Sequence, residues 1–167
     1  MKSDERARIE QNRKEFSIKS MYFNRFLLVR YVSALFFFTN LYWFISMLMS
    51  DSSLFVIPLI LMIVLLFSIA EQVKMYGKHT NNAKYTKYCF MILLSTNVIL
   101  IVTTCFSSSF TQLYPFLLNQ DKSKILVLTI LIVGILLSVF ILYRLIQIKH
   151  NKDKHYQRIK KYEEVIN

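Results

Sequence analysis

Residues 56–67 read Val56-Ile57-Pro58-Leu59-Ile60-Leu61-Met62-Ile63-Val64-Leu65-Leu66-Phe67, with no charge and no alternation of polar and apolar side chains. A strand of a membrane barrel would be short and would alternate, so this stretch belongs to a helix. Carried outward to Leu54 and Ala70, the apolar run reaches the short end of what a helix needs to cross a hydrocarbon core about 30 Å thick. Pro58 falls near its start. The missing N–H would otherwise bond the Leu54 carbonyl, which predicts a mild kink and no break.

Three further runs have the same character: 31–50, 88–110 and 125–143. The expected fold is therefore an all-α membrane protein, a bundle of four transmembrane helices. Around these spans lie a basic segment at 1–30, a short turn at 51–53, a basic loop at 71–87, an interfacial loop at 111–124 and a basic tail at 144–167. Residues 4–20 mix Glu with Arg and Lys at helical spacings, and residues 152–166 set Ile159, Tyr162 and Ile166 on one face, so both terminal extensions are expected to be charged helices.

The overall composition agrees. Of the 167 residues 54% are hydrophobic, yet nearly all the charge sits between or outside the four runs, and there are only two glycines and two prolines. Such a distribution excludes a soluble globular domain, a disordered chain and a disulfide scaffold. Abundant Lys, Ile, Phe, Tyr and Asn beside scarce Ala, Gly and Pro point to an AT-rich genome and a bacterial plasma membrane.

Lys and Arg number 21 in all, giving a net charge of +11. Eight precede the first span, four lie at 71–87, seven follow the fourth span, and only Lys122 and Lys124 fall on the other side. The positive-inside rule then puts both termini and the middle loop in the cytoplasm, an N-in/C-in arrangement in the cell membrane. The first 30 residues are too charged and too long for an ordinary signal peptide, so the first span is expected to act as the targeting signal itself.

The connections can be read in the same way. Ser50-Asp51-Ser52-Ser53 makes a tight hairpin, with Ser52 or Ser53 as the cap of the second helix. That helix should run on past Glu71 to a glycine cap at Gly77, and Asn81 or Asn82 should cap the third. The loop at 107–123 is aromatic and apolar. It is expected to lie at the interface, with a short helix after Pro115.

Few residues could carry chemistry. No charged side chain lies within the spans, which argues against an ion-coupled transporter or proton pump. The nearest ionisable groups are Arg30, Glu71 and Arg144. Glu71 either pairs with one of these arginines across the mouth of the bundle or sits among headgroups beside Lys74. At mid-depth stand Asn40 and Asn97, with Gly134 at a similar height in the fourth span. An amide in hydrocarbon must face protein, and pairing of the two would contribute about 1 kcal/mol. On that footing, replacing either by Leu should weaken folding or assembly. The layer is either helix glue or a site for a substrate or partner helix.

Cys89 and Cys105 are sixteen residues apart in one span, about 24 Å along a helix, so they cannot bond each other and are expected to be buried thiols. His79, His150 and His155 lack metal-ligand spacing, and no metal or other cofactor is expected. No phosphate loop, nucleophile elbow or paired-carboxylate motif is present, so an enzyme is not expected. Arg6, Arg8, Arg13 and Lys14, with Lys149, Lys154, Lys160 and Lys161, can attract anionic headgroups at about 1 kcal/mol each, or grip an acidic protein surface. Topology already accounts for this charge, so nucleic acid is not expected as a partner.

Three function classes remain. The first is a non-catalytic interaction protein, such as an accessory subunit, a regulator or an immunity-type protein, whose partner is another membrane protein or a second copy of itself. The second is a component of a transporter or lipid-carrier translocase that works as an oligomer. The third is a holin-like pore, for which span three offers only Asn97, Thr103 and Thr104 as a polar stripe.

Overall fold

The computed structural model describes residues 2–75 and 80–166. These residues form helices and no strands, in the order α1 (Lys2–Asn24), α2 (Leu27–Met49), a 3-10 turn (Ser53–Phe55), α3 (Val56–Lys74), α4 (Lys84–Thr104), α5 (Ser107–Leu113), α6 (Asp121–Lys149) and α7 (Lys154–Ile166). Of these, α2, α3, α4 and α6 are long and apolar enough to cross a membrane. The expected cap at Gly77 lies outside the described residues.

In the bundle α2 runs along α3, α3 against α4 and α4 along α6, while α2 and α6 touch more sparsely. α1 and α7 meet at one end. Hydrophobicity alone does not separate inside from outside. Phe38, Phe67, Ile99 and Leu136 face outward, whereas Ser33, Ser68, Thr86, Thr104 and Ser138 are buried. That inversion suits helices in lipid, where small and hydroxyl side chains let backbones approach and apolar ones lose nothing by facing the solvent. An exposed apolar girdle of this extent is compatible with a membrane protein.

Two apolar clusters fill the interior. One, at the end carrying the termini, includes Val29, Leu65, Phe90, Ile141 and Ile148. The other, toward the hairpin end, includes Leu100, Phe110, Leu113, Tyr114, Val127 and Leu131. The Trp43 ring stacks on Tyr114 at 5.6 Å and its indole N–H donates to the Leu113 carbonyl at 3.1 Å, so α5 is pinned against α2.

Helix ends follow from local chemistry. α2 and α6 both close with a left-handed residue, Asp51 at φ 51° and Asn151 at φ 55°. In each the following N–H returns to a carbonyl five residues back, Ser52 to Met47 at 3.2 Å and Lys152 to Gln147 at 3.0 Å. This is the Schellman arrangement, here made without glycine. Ser52 caps the 3-10 turn by accepting from the Leu54 N–H at 3.4 Å.

Several expectations need correction. The third helix stops at Thr104 rather than near 110. The Thr103 and Thr104 hydroxyls both donate back to the Leu100 carbonyl, at 3.0 and 2.6 Å, and compete with the ladder at that end. The short helix forms before Pro115 and not after it, because a residue preceding proline, here Tyr114, is pushed out of the helical region. Neither Asn81 nor Asn82 caps α4: its N-cap is Ala83, and a side chain from another helix supplies the acceptor. Cys89 is buried, but Cys105 is exposed at the end of α4.

Candidate functional site

Two polar centres stand out, one in the middle of the bundle and one at the end that carries the termini. The first surrounds a cavity of about 630 Å³. α2 presents Phe36, Asn40 and Trp43 to it at helical neighbour spacing, α4 presents Leu93, Asn97 and Leu100, and α6 presents Val127, Leu131 and Gly134. Tyr114, Phe116 and Leu117 close it toward the hairpin end. Other lining residues stand on the outer surface of the bundle: Tyr42 is 70% exposed, Met49 83%, Leu126 55% and Ile130 52%. The cavity is therefore open sideways, along the sparse seam between α2 and α6.

Asn40, Asn97 and Gly134 are thus brought to one place. The two amides do not pair with each other. Asn40 is buried and donates to the Phe36 carbonyl of its own helix at 2.8 Å. Asn97 turns its Nδ2 toward Gly134, where an added Cβ would lie 2.6 Å from that nitrogen. The glycine is the notch that admits the amide. Nδ2 is buried there with no hydrogen-bond partner among the described residues.

The second centre is built on Arg25, which is 1% exposed. It sits in the break between α1 and α2. Its Nη2 pairs with Asp153 Oδ1 at 2.6 Å and its Nε donates to Asp153 Oδ2 at 3.1 Å, a two-point match of guanidinium and carboxylate. Nη1 donates to Asn81 Oδ1 at 2.8 Å, and Nη2 also to the Ile148 carbonyl at 3.1 Å and Asn151 Oδ1 at 3.0 Å. Asn81 Nδ2 completes the ring by donating to Asn151 Oδ1 at 2.7 Å. The guanidinium carbon lies 4.9 Å from the Tyr156 ring centre.

Asp153 has a second role, accepting from the Tyr156 N–H at 3.1 Å as the cap of α7. Burial raises its carboxyl pKa, but the Arg25 hydrogen bonds and charge and the Tyr156 N–H outweigh that and hold it below the ordinary carboxylate range. Two distant stretches of chain, at Asn81 and at 148–153, are fastened to the α1–α2 break by this one arginine. Chemically the cluster is saturated: it orders the termini end and leaves no group free to react.

Between the two centres lies a smaller polar layer. Gln72 Nε2 donates to Ser33 Oγ at 3.2 Å and Ser68 Oγ at 3.1 Å. Ser138 Oγ and Gln72 Oε1 are buried without a partner among the described residues.

Arg30, Glu71 and Arg144 are not brought together. Arg30 stacks over the Phe23 ring with its carbon 3.4 Å from the centre and donates to the Phe23 carbonyl at 2.9 Å. Arg144 reaches Gln147 Oε1 at 3.4 Å on its own helix. Glu71 caps α4 from outside: it accepts from the Tyr85 N–H at 3.1 Å, the Thr86 N–H at 2.7 Å and the Thr86 hydroxyl at 2.8 Å. A carboxylate there satisfies two free donors and faces the positive end of the helix dipole.

Of the basic residues assigned to headgroups or a partner, Arg6, Arg8, Arg13, Lys14, Lys149, Lys154, Lys160 and Lys161 are all exposed. Arg25, Asp153 and Asn151 do not stand out in the sequence, and Asn81 does so only as an expected cap of the third helix. The signal available is an acid, Asp153, set between Lys152 and Lys154 in the basic tail, and it does not specify which arginine it meets.

The chain matches no protein-family model, no characterised protein and no solved structure with which it was compared.

Proposed function

We propose that this chain is an integral protein of the cell membrane, with both termini in the cytoplasm, that acts without catalysis as an accessory, regulatory or immunity-type interaction protein. The observation that carries this reading is the N-terminal arm. Every described side chain of α1 from Glu5 to Phe16 is exposed, including Ile9 at 52% and Phe16 at 63%. A helix of this kind gains little from its own propensity, and helices in proteins draw most of their stability from packing. Its arginines and lysines, with those of α7, suit an acidic protein surface or anionic headgroups as the missing neighbour. The Arg25 cluster supports the reading by giving the arm a rigid base.

The test is site-specific photocrosslinking from Arg6 and Phe16 in the full-length chain in its native membrane, followed by purification in mild detergent and mass spectrometry. One dominant protein adduct, present in constant ratio to the chain, is expected. A homo-oligomer with no protein adduct at either position, carrying one specific lipid or solute, would overturn it. The sideways-open cavity is the feature that favours the second reading, a lipid-handling component.

A further inference from the structure

We infer that the cavity between α2, α4 and α6 is a binding site for an uncharged membrane lipid bearing a free hydroxyl, of the diacylglycerol type. The site is independent of the partner proposed for the N-terminal arm. Three observations carry it.

The first is shape. At about 630 Å³ the cavity is within the range of sites that hold a small organic ligand, and its open side runs along lipid-facing residues such as Tyr42 and Ile130. A lipid can enter from the bilayer without crossing an aqueous mouth.

The second is charge. Among the described residues no Lys, Arg, Asp or Glu lines the cavity. A phosphate headgroup drawn to this depth would be unpaired in a low dielectric, at a cost of several kcal/mol. The lining therefore rejects charged phospholipids at the level of the headgroup while accepting acyl chains.

The third is unmet hydrogen bonding. Asn40 is 7% exposed and its only hydrogen bond is the one its Nδ2 donates, so among the described residues nothing donates to Oδ1, an acceptor on the cavity wall. Asn97 also lines the cavity, and its amide has no partner at all among the described residues. The Asn40 orientation is fixed, because only the nitrogen can donate to the Phe36 carbonyl. Asn97 has no such constraint, and its two amide ends exchange by a simple flip. A hydroxyl donates its one hydrogen to Asn40 Oδ1, and its oxygen accepts from Asn97 in the orientation that turns Nδ2 away from Gly134; an ester carbonyl alone cannot serve Asn40.

The experiment uses the full-length chain in phosphatidylcholine nanodiscs and a diacylglycerol with a photoreactive group in one acyl chain. Labelling is expected on the cavity-lining faces of α2 and α6. Unlabelled dioleoylglycerol should compete, whereas its methyl ether, which lacks the free hydroxyl donor, should compete about three- to tenfold less well, the worth of one hydrogen bond. Ile130→Trp, which fills the open side with an apolar ring, should abolish competable labelling while leaving the melting temperature unchanged. If that variant does not fold, Thr39→Leu, at an exposed residue of α2 that also lines the cavity, is the replacement, with the same loss expected.

Uniform labelling of lipid-facing side chains without competition overturns the site. Equal competition by the ether overturns the hydroxyl requirement and with it the inferred ligand class. Disulfides forming between copies through cysteines placed at positions 42 and 130, with no labelling, overturn it in favour of a partner helix as occupant.

Discussion

Arg25 and Asn97 are both polar groups withdrawn from water, and the fold treats them in opposite ways. Around Arg25 every guanidinium nitrogen has an acceptor, drawn from Asn81, Ile148, Asn151 and Asp153. Around Asn97 the buried nitrogen has none. A charge without partners is far more costly than an amide without partners, so the fold completes the first cluster from two distant stretches of chain and leaves the second open. Completed polar clusters fix structure; incomplete ones keep the capacity to bind.

The contrast is tested most severely at Asp153. Asp153→Ala strips the partner from a buried cation and uncaps α7, and should cost about 3–5 kcal/mol in detergent-solubilised unfolding. Arg25→Met combined with Asp153→Leu should recover most of that loss. A double variant as unstable as the single one would mean that the ion pair is not what organises the termini end. Glu71→Ala comes next, with about 1–2 kcal/mol expected from the lost α4 cap. Glu71→Gln, which keeps an acceptor oxygen, should lose less. Hydrogen exchange at the Tyr85 and Thr86 amides distinguishes a lost cap from a general loosening.

Asn97→Leu should change stability by less than about 1 kcal/mol, since its buried nitrogen makes no bond to lose. This reverses what pairing with Asn40 would have required. A loss as large as that at Asp153 would erase the distinction between the two clusters.

The smallest effect concerns pH. His155 on α7 has its imidazole held below its ordinary value of 6.5, by burial first and then by the Arg144 and Arg158 charges. The folded state then favours the neutral ring, so the unfolded chain binds the extra proton. Its contribution is complete above pH 6.5 and is lost as pH falls through the folded value. A modest drop in melting temperature between about pH 7.5 and about pH 5.5 is expected, flattened by His155→Gln. The Asp153 contribution behaves likewise but lower: it is complete above 3.8 and fades as pH falls through its depressed folded value. A slope near pH 6 that persists in His155→Gln would point to another group.

The four bundle helices were legible because length and continuous apolarity are local properties. Residues 56–67 specify a helix without help from the rest of the chain. Helix ends were less so: Thr103 and Thr104 look like ordinary mid-helix residues until their hydroxyls turn back on Leu100. The residues around the cavity were legible in part, since an Asn in hydrocarbon is conspicuous wherever it occurs, although the cavity itself depends on how sparsely α2 and α6 touch. Arg25 was hidden among eight cations of the first thirty residues. Its burial is a tertiary fact, decided by Asn81, Asn151 and Asp153 arriving from far along the chain.

That distance has a consequence for the order of events during synthesis. Arg25 and Asp153 are separated by 128 positions. When the ribosome has completed the first helical hairpin, Arg25 has neither its acid nor the Ile148 carbonyl, and it must wait in water or among headgroups. Only when α6 has been delivered and the left-handed turn at Asn151 has formed can the cluster close. The first part of the chain to be made is thus the last to be locked, and a nascent protein that stalls before residue 153 has a bundle without a latch.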